Sequence, residues 1–279
     1  MTLVRSRRPG TKSKSRPSLS TVIGIHGPAG STGKSSLAFN LAYEFAELGK
    51  RVCLLDFDVH SPSLANHLGL SEPPIGLSGC ARLIRQGRFN TEQFERLSIL
   101  VCHRRASFRV LTGIPASRRW NEVSEDTVRQ LVAFTRTEFE ITVLDLSSPL
   151  EADLFAATSS SPRNGVTITS IRESDVVVSV VLETPLSLAR YLAQHLELQE
   201  INPNRQLVIN RSTNQAAFSA AIRDLTKQDI FSRIPDDQPA FQLSESSNLP
   251  LALARRKSSA RTSIALLAHK LLECQSLDS

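Results

Sequence analysis

Nowhere among its 279 residues does the chain hold the roughly 20 consecutive apolar side chains of a membrane-spanning helix. The longest clean run, Val176 to Leu182, is interrupted by Ser179. An apolar leader segment is missing too. The basic N-terminus continues into Pro9, Gly10 and a Ser/Lys mixture, so no secretory signal is expected and the cytoplasm is the expected compartment. Cys53, Cys80, Cys102 and Cys274 are far apart and form no C-x-x-C pair, which argues against a zinc site and a disulfide framework. The six histidines are scattered. No Ser/His/Asp or Cys/His constellation emerges, and His26, at the end of an apolar run, reads as a packing residue. Acidic residues are absent from the first 16 positions, which hold Arg5, Arg7, Arg8, Lys12, Lys14 and Arg16. These account for the whole formal charge of +6, and the remaining chain balances 27 basic against 27 acidic side chains. Residues 1–19 are therefore expected to be a disordered basic tail, capable at most of weak, salt-sensitive contact with nucleic acid or an anionic membrane surface.

What is present is a chain with 41% apolar side chains, enough to bury a large core from residue 20 to 279. Apolar runs of strand length alternate with amphipathic segments of helix length. This predicts an α/β fold: a doubly wound, mostly parallel sheet with helices on both faces. Strands are expected at 21–27, 51–57, 98–103, 109–113, 141–146, 176–183, 206–211 and 229–234. The pair flanking Arg104 to Ser107 has the alternative of an antiparallel hairpin. The clearest helix runs from Lys34 to Leu48 before Gly49, with Leu37, Leu41, Phe45 and Leu48 at helical spacing; a second spans Ser124 to Thr137.

The chemistry concentrates where the first strand, ending in His26-Gly27, passes through Pro28-Ala-Gly-Ser-Thr-Gly-Lys-Ser-Ser36 into a helix. Glycines let successive backbone N–H groups converge on phosphate oxygens at the positive end of a helix dipole. Gly30, Ser31, Thr32, Gly33, Lys34, Ser35 and Ser36 would form that cradle. Lys34 would reach the outer phosphates and the Ser35 hydroxyl would hold Mg²⁺. The strict G-x-x-x-x-G-K-[ST] pattern fails at one position, because Pro28 occupies the first glycine site with Gly27 just before it. One unit later, Leu54-Leu-Asp-Phe-Asp58 ends an apolar strand with two carboxylates on one face. Asp58 is the candidate for orienting an attacking water or the metal's shell, with Asp56 in support. Their bland reading is a pair of solvated strand-end acids. Ile141-Thr-Val-Leu-Asp145 supplies a third strand-end carboxylate for the metal, although a structural cap is as common for such a residue taken alone.

Together, Gly30 to Ser36, the segment Leu48-Gly-Lys-Arg-Val52 and the run Leu54 to Pro62 resemble the MinD/ParA superfamily of P-loop NTPases, which is of the SIMIBI type. Downstream, Leu111-Thr-Gly-Ile-Pro115, Arg163-Asn164, Asp175-Val-Val-Val178 and Val208-Ile-Asn-Arg211 are similar to its CpaE/TadZ branch, which serves Tad/Flp-type pilus assembly. The resemblance implies ATP and Mg²⁺ as ligands. It also implies that Asn210 recognises adenine and that the segment with Pro235 and Asp236 closes the base pocket. Read from the residues alone, Asn210 would be a strand-end turn former. The superfamily's signature lysine, which contacts a partner subunit's nucleotide, falls at Ala29. Slow hydrolysis, or binding with almost none, is therefore expected.

Three functions follow from this reading. The first is a scaffold positioning an envelope-associated machine, with pilus or secretion proteins and a homodimer as partners. The second is a ParA-like partition ATPase using Arg255, Arg256, Lys257 and Arg261 on DNA. The third is a MinD-like regulator at the inner face of the membrane, whose last helix, Thr262 to Cys274, would offer Ile264, Leu267, Leu271 and Leu272 to lipid or, more ordinarily, to the sheet.

Overall fold

The computed structural model describes residues 20–104, 106–151 and 164–277. The basic tail 1–19, and Arg163 of the Arg163-Asn164 pair, lie outside the described residues. Eight strands form one sheet: β1 (Thr21–His26), β2 (Val52–Phe57), β3 (Ile99–His103), β4 (Ala106–Leu111), β5 (Ile141–Leu146), β6 (Val176–Leu182), β7 (Arg205–Ser212) and β8 (Ile230–Pro235). Their order is β3-β4-β2-β5-β1-β6-β7-β8, parallel throughout except for β3 against β4. The expected doubly wound, mostly parallel α/β architecture is the one observed.

The alternation of side chains builds two cores. Ile23, Ile25, Val52, Leu54, Ile141 and Val143 point to one face and pack with the helix α1 (Lys34–Glu47). Val22, Cys53, Leu55, Leu144 and Leu146, one residue out of phase, meet the other face's helices. Strands buried on both faces read as near-continuous apolar runs, and this made them visible in the sequence. On α1, Leu37, Leu41 and Phe45 are 0–2% exposed. Each such side chain contributes about 1.5–3 kcal/mol by leaving water. Leu48 instead ends the helix as its exposed C-cap.

Most strand bounds fall within a residue of expectation, but two elements differ. The strand expected at 109–113 runs from Ala106 to Leu111 and pairs antiparallel with β3 from His103↔Ala106 to Ile99↔Val110. Its end comes early because the chain turns at Thr112, whose carbonyl accepts the Leu77 N–H at 2.9 Å. The last helix begins at Ser259, because the Ser258 hydroxyl accepts the Arg261 N–H at 3.2 Å, and it runs to Leu277. Ile264, Leu267 and Leu271 are at most 1% exposed and pack in the α1-side core, with Leu272 against its edge. Those side chains serve the sheet rather than lipid. No helix among the described residues is long and apolar enough to cross a membrane.

The helix α5 (Glu125–Glu138) starts with a reciprocal cap between Ser124 and Thr127. By contrast, α1 starts after Gly33 with no side-chain cap, so its first N–H groups remain directed at the cleft beyond β1.

Candidate functional site

The site lies at the carboxyl ends of β2, β5 and β1, adjacent in that order, where open α/β sheets bind ligands. Gly27 passes so close to β6 that a Cβ there would collide with the Val180 carbonyl oxygen. The chain thus meets this close approach with Gly27, while Pro28 stands in the first glycine position of the motif. Gly30 (φ 114°) and Gly33 (φ 87°) take left-handed conformations, and a Cβ on Gly33 would run into the Asn210 amide. That amide donates to the Thr32 carbonyl at 2.8 Å, so the end of β7 clamps the loop directly. Around the loop lies a cleft of about 520 Å³ lined by residues 29–36 together with Asp58, His60 and Ser148.

Lys34, 9% exposed, donates to the Ser148 hydroxyl at 2.8 Å. Burial lowers its pKa, while Asp145 and Asp58 pull it back up. Asp145 is fully buried, opposite Asp56 of β2 in register. Neither of its carboxylate oxygens completes a hydrogen bond among the described residues. Burial pushes its pKa up to about 7; the nearby Ser35 hydroxyl and Lys34 favour the charge and Asp58 opposes it. A fully buried carboxylate that Ser35 and Lys34 compensate only in part is costly, and a divalent cation between Asp145 and Ser35 would offset that cost. The donors here are all oxygen, the set a hard cation prefers. Among the described residues no cluster of three His, Cys, Asp or Glu forms an all-protein metal cage. The arrangement therefore fits Mg²⁺ shared with phosphates.

Asp58 and Asp56 divide their tasks. The Oδ1 atom of Asp58 accepts from His60 N (2.9 Å), Ser61 N (2.8 Å) and the Ser147 hydroxyl (2.8 Å), and the residue lines the cleft. Asp56 accepts from Leu64 N (3.1 Å), Ser63 N (3.2 Å) and Asp58 N (3.2 Å). It shapes the turn and starts the short helix α2 (Leu64–His67). Burial, then the charge of Asp145, raises its pKa well above the usual carboxylate range. His26 is 1% exposed with Nε2 3.2 Å from the Ser148 carbonyl. Burial, then Lys34, lowers its pKa to about 3, so it stays neutral and packs as the sequence suggested.

A second hollow of about 300 Å³ shares Gly33 and Ser36 with the first and is lined by Asn210, Arg211, Asp236 and Phe241. Asp236 is therefore where the base pocket was expected, but Pro235 is not among the lining residues. It is held in the edge strand β8, in register with Ser212 of β7. Sequence reasoning missed Phe241 and Arg211 here, and Ser147 and Ser148 at the phosphate end. The serine pair that follows Asp145-Leu146 at the end of β5 was the available signal. The basic patch for DNA also loses a member: Arg261 makes a two-pronged ion pair with Glu44 at 2.9 and 3.0 Å.

The model for the CobQ/CobB/MinD/ParA nucleotide binding domain family matches residues 23–251, nearly the whole described fold. The chain belongs to this family. A MinD-type septum site-determining protein of Guillardia theta is 22% identical over 244 residues, covering 86% of this chain and 84% of that protein. MinD of Pyrococcus horikoshii OT3, solved in complex with Mg-ADP, superposes with a TM-score of 0.73 at 15% identity over 94% of this chain and 99% of its own. A ParA family ATPase from Chlorobium tepidum TLS gives 0.75 at 17% identity, over 90% and 98%. At such identities the structures share the fold. In this MinD/ParA-family chain the loop's mouth carries Ala29, which is exposed and uncharged.

Proposed function

We propose that the chain is a nucleotide-gated scaffold that binds Mg-ATP and positions a cytoplasmic, envelope-associated machine of the Tad/Flp pilus or secretion type, with slow or no hydrolysis. The observation that carries the nucleotide reading is Asp145, a fully buried carboxylate whose oxygens complete no hydrogen bond of ordinary geometry among the described residues, beside Lys34 and Ser35 at an uncapped helix N-terminus. The machine assignment rests on the segments similar to the CpaE/TadZ branch, Leu111 to Pro115 and Val208 to Arg211 among them. MinD-like or ParA-like positioning is the alternative, favoured by the likeness to the Guillardia protein. The DNA version of it is weakened by the Arg261–Glu44 pair.

In this reading the N–H groups of Gly30 to Ser36 receive the phosphates, and Lys34 draws charge from the outer ones. Ser35 and Asp145 would hold Mg²⁺, which would supply positive charge against that of the phosphates. Asp58, fixed through Oδ1, orients an attacking water. Asn210 and Asp236 face the adenine, with Phe241 offering a ring beside them. The loops after β2 and β5 carry Asp58, Ser147 and Ser148, so occupancy of the cleft reaches the surface through them.

The deciding experiment is calorimetric binding of ATP and ADP with Mg²⁺ to wild type and Lys34→Ala, followed by phosphate release from the same samples and from Asp58→Ala. Binding lost in Lys34→Ala, with little or no release by wild type, supports the gated scaffold. Fast release lost in Asp58→Ala would make it a working ATPase instead. Absence of binding by wild type would overturn the reading.

A further inference from the structure

The mouth of the phosphate loop carries no cation of its own, because Ala29 and Gly30 are both exposed and uncharged. Lys34 is buried deeper and already flanked by Asp145 and Asp58. His67 also lines the cleft, and burial lowers its pKa. Arg211 lies at the opposite, base end. One guanidinium lies against the loop backbone beside this mouth, outside the side chains that line the cleft itself. Arg190, on the helix α7 (Pro185–Ile201), donates from Nη1 to the Ala29 carbonyl at 2.9 Å. An ideal Cβ on Gly30 would stand 3.1 Å from the same Nη1, so the guanidinium lies against both residues.

Its placement is firm at the helix end and uncommitted at the tip. Thr184 caps α7 through the Ser187 N–H, Pro185 opens it, and Leu188 and Tyr191 anchor it in the β6–β7 core. Among the described residues Arg190 makes no ion pair with a carboxylate, and its one hydrogen bond uses a single donor of five. A planar, permanently charged fork with free donors suits a phosphate oxygen. The terminal phosphate that ATP has and ADP lacks brings about two negative charges to the outer end of such a cleft. No other side chain described above answers that charge from the Ala29 side.

We propose that Arg190 is the specificity-determining cation of this site: held at the loop mouth by the Ala29 carbonyl, it contacts the terminal phosphate of Mg-ATP, its own or that of a second copy of the chain, and so distinguishes ATP from ADP. The inference rests on the nucleotide reading above and deepens it.

The test is titration of ATP and of ADP, with Mg²⁺, into the full chain as wild type, Arg190→Ala and Arg190→Lys. Arg190→Ala is expected to weaken ATP by about tenfold, the worth of a charge-assisted hydrogen bond, and to leave ADP within about twofold. Arg190→Lys is expected to recover part of the loss, since charge returns without the fork. Equal losses for ATP and ADP would mean that Arg190 merely shapes the loop, and no loss would mean that it is idle; either overturns the proposal. If wild type binds neither nucleotide, the nucleotide reading falls and this inference with it; if wild type binds both and Arg190→Ala does too, only this inference falls. Repeating the titration across protein concentrations identifies whose phosphate is read. A selective loss that persists in the monomer assigns the contact to the chain's own nucleotide, and one confined to the dimer assigns it to the facing copy's; both uphold the role.

Discussion

Replacing Asp145 with asparagine separates what the site needs from what the fold prefers. Burial raises the Asp145 pKa from 3.8 to about 7, with Asp58 adding repulsion. Below 3.8 the carboxyl is neutral in both folded and unfolded chains and contributes nothing. Between 3.8 and about 7 the unfolded chain ionises while the folded one resists, so the folded state loses stability as pH rises. Above 7 the penalty is complete, on the order of 4 kcal/mol at 1.36 kcal/mol per pKa unit. The neutral amide of Asp145→Asn would carry none of it. Part of the gain is returned because Lys34 loses a charge that favours its own ionisation. A net stabilisation of about 2 kcal/mol at pH 8 is therefore expected, smaller by up to about 2 kcal/mol at pH 5.5, where the penalty is only partly developed. Urea unfolding of both proteins at the two pH values measures this. Mg-ATP should reverse the ranking by stabilising wild type and not Asp145→Asn. An Asp145→Asn protein less stable than wild type at pH 8 without nucleotide would refute the argument. It would mean that the buried carboxylate is already compensated within the fold.

Three further outcomes follow from neighbouring geometry. Gly33→Ala forces a side chain into left-handed backbone and against the Asn210 amide, so ATP binding should fall by tenfold or more in calorimetry, with a loss of about 1–2 kcal/mol in unfolding free energy. Burial opposes the Glu183 charge, but N–H donors from Gln215 and Thr213 overcome it and lower its pKa. Glu183→Gln should therefore cost about 2 kcal/mol at pH 7. That contribution is present above the ordinary value of 4.5 and is lost as pH falls through the lowered one, so the two urea midpoints should converge in acid. Arg261→Ala strands the largely buried Glu44 and should destabilise by about 3 kcal/mol, while low-salt DNA binding stays unchanged; a selective loss of DNA binding would restore the basic patch.

The sheet was legible because parallel strands buried on both faces leave uninterrupted apolar runs, as in Val52 to Leu55 and Val176 to Val178. The hairpin β3–β4 was ambiguous for the opposite reason. Its residues alternate between buried and exposed, so the limits depend on pairing and on where Thr112 is diverted, and neither is written locally. The loop was legible for a different reason again. Glycine at positive φ and lysine before serine at a strand–helix junction answer a backbone requirement that few other residues can meet.

What stayed hidden was everything set by the approach of distant segments. Asn210 carries the same letters whether it ends a strand, faces a base or clamps a loop, and only the 2.8 Å contact with Thr32, 178 residues away, shows the third of these. Arg190 gives no motif at all, because its position opposite Ala29 depends on the crossover that places α7 beside the loop. Pro235 was implied by the resemblance together with Asp236, yet it ends the edge strand β8 in register with Ser212 and is not among the residues that line the hollow. A loss within the motif, such as the charge absent at Ala29, is thus readable from sequence, whereas any compensation for it arrives through the fold. A search for related chains lacking that lysine should therefore look for a basic residue at the position of Arg190 on the helix after β6, where no linear pattern would select it.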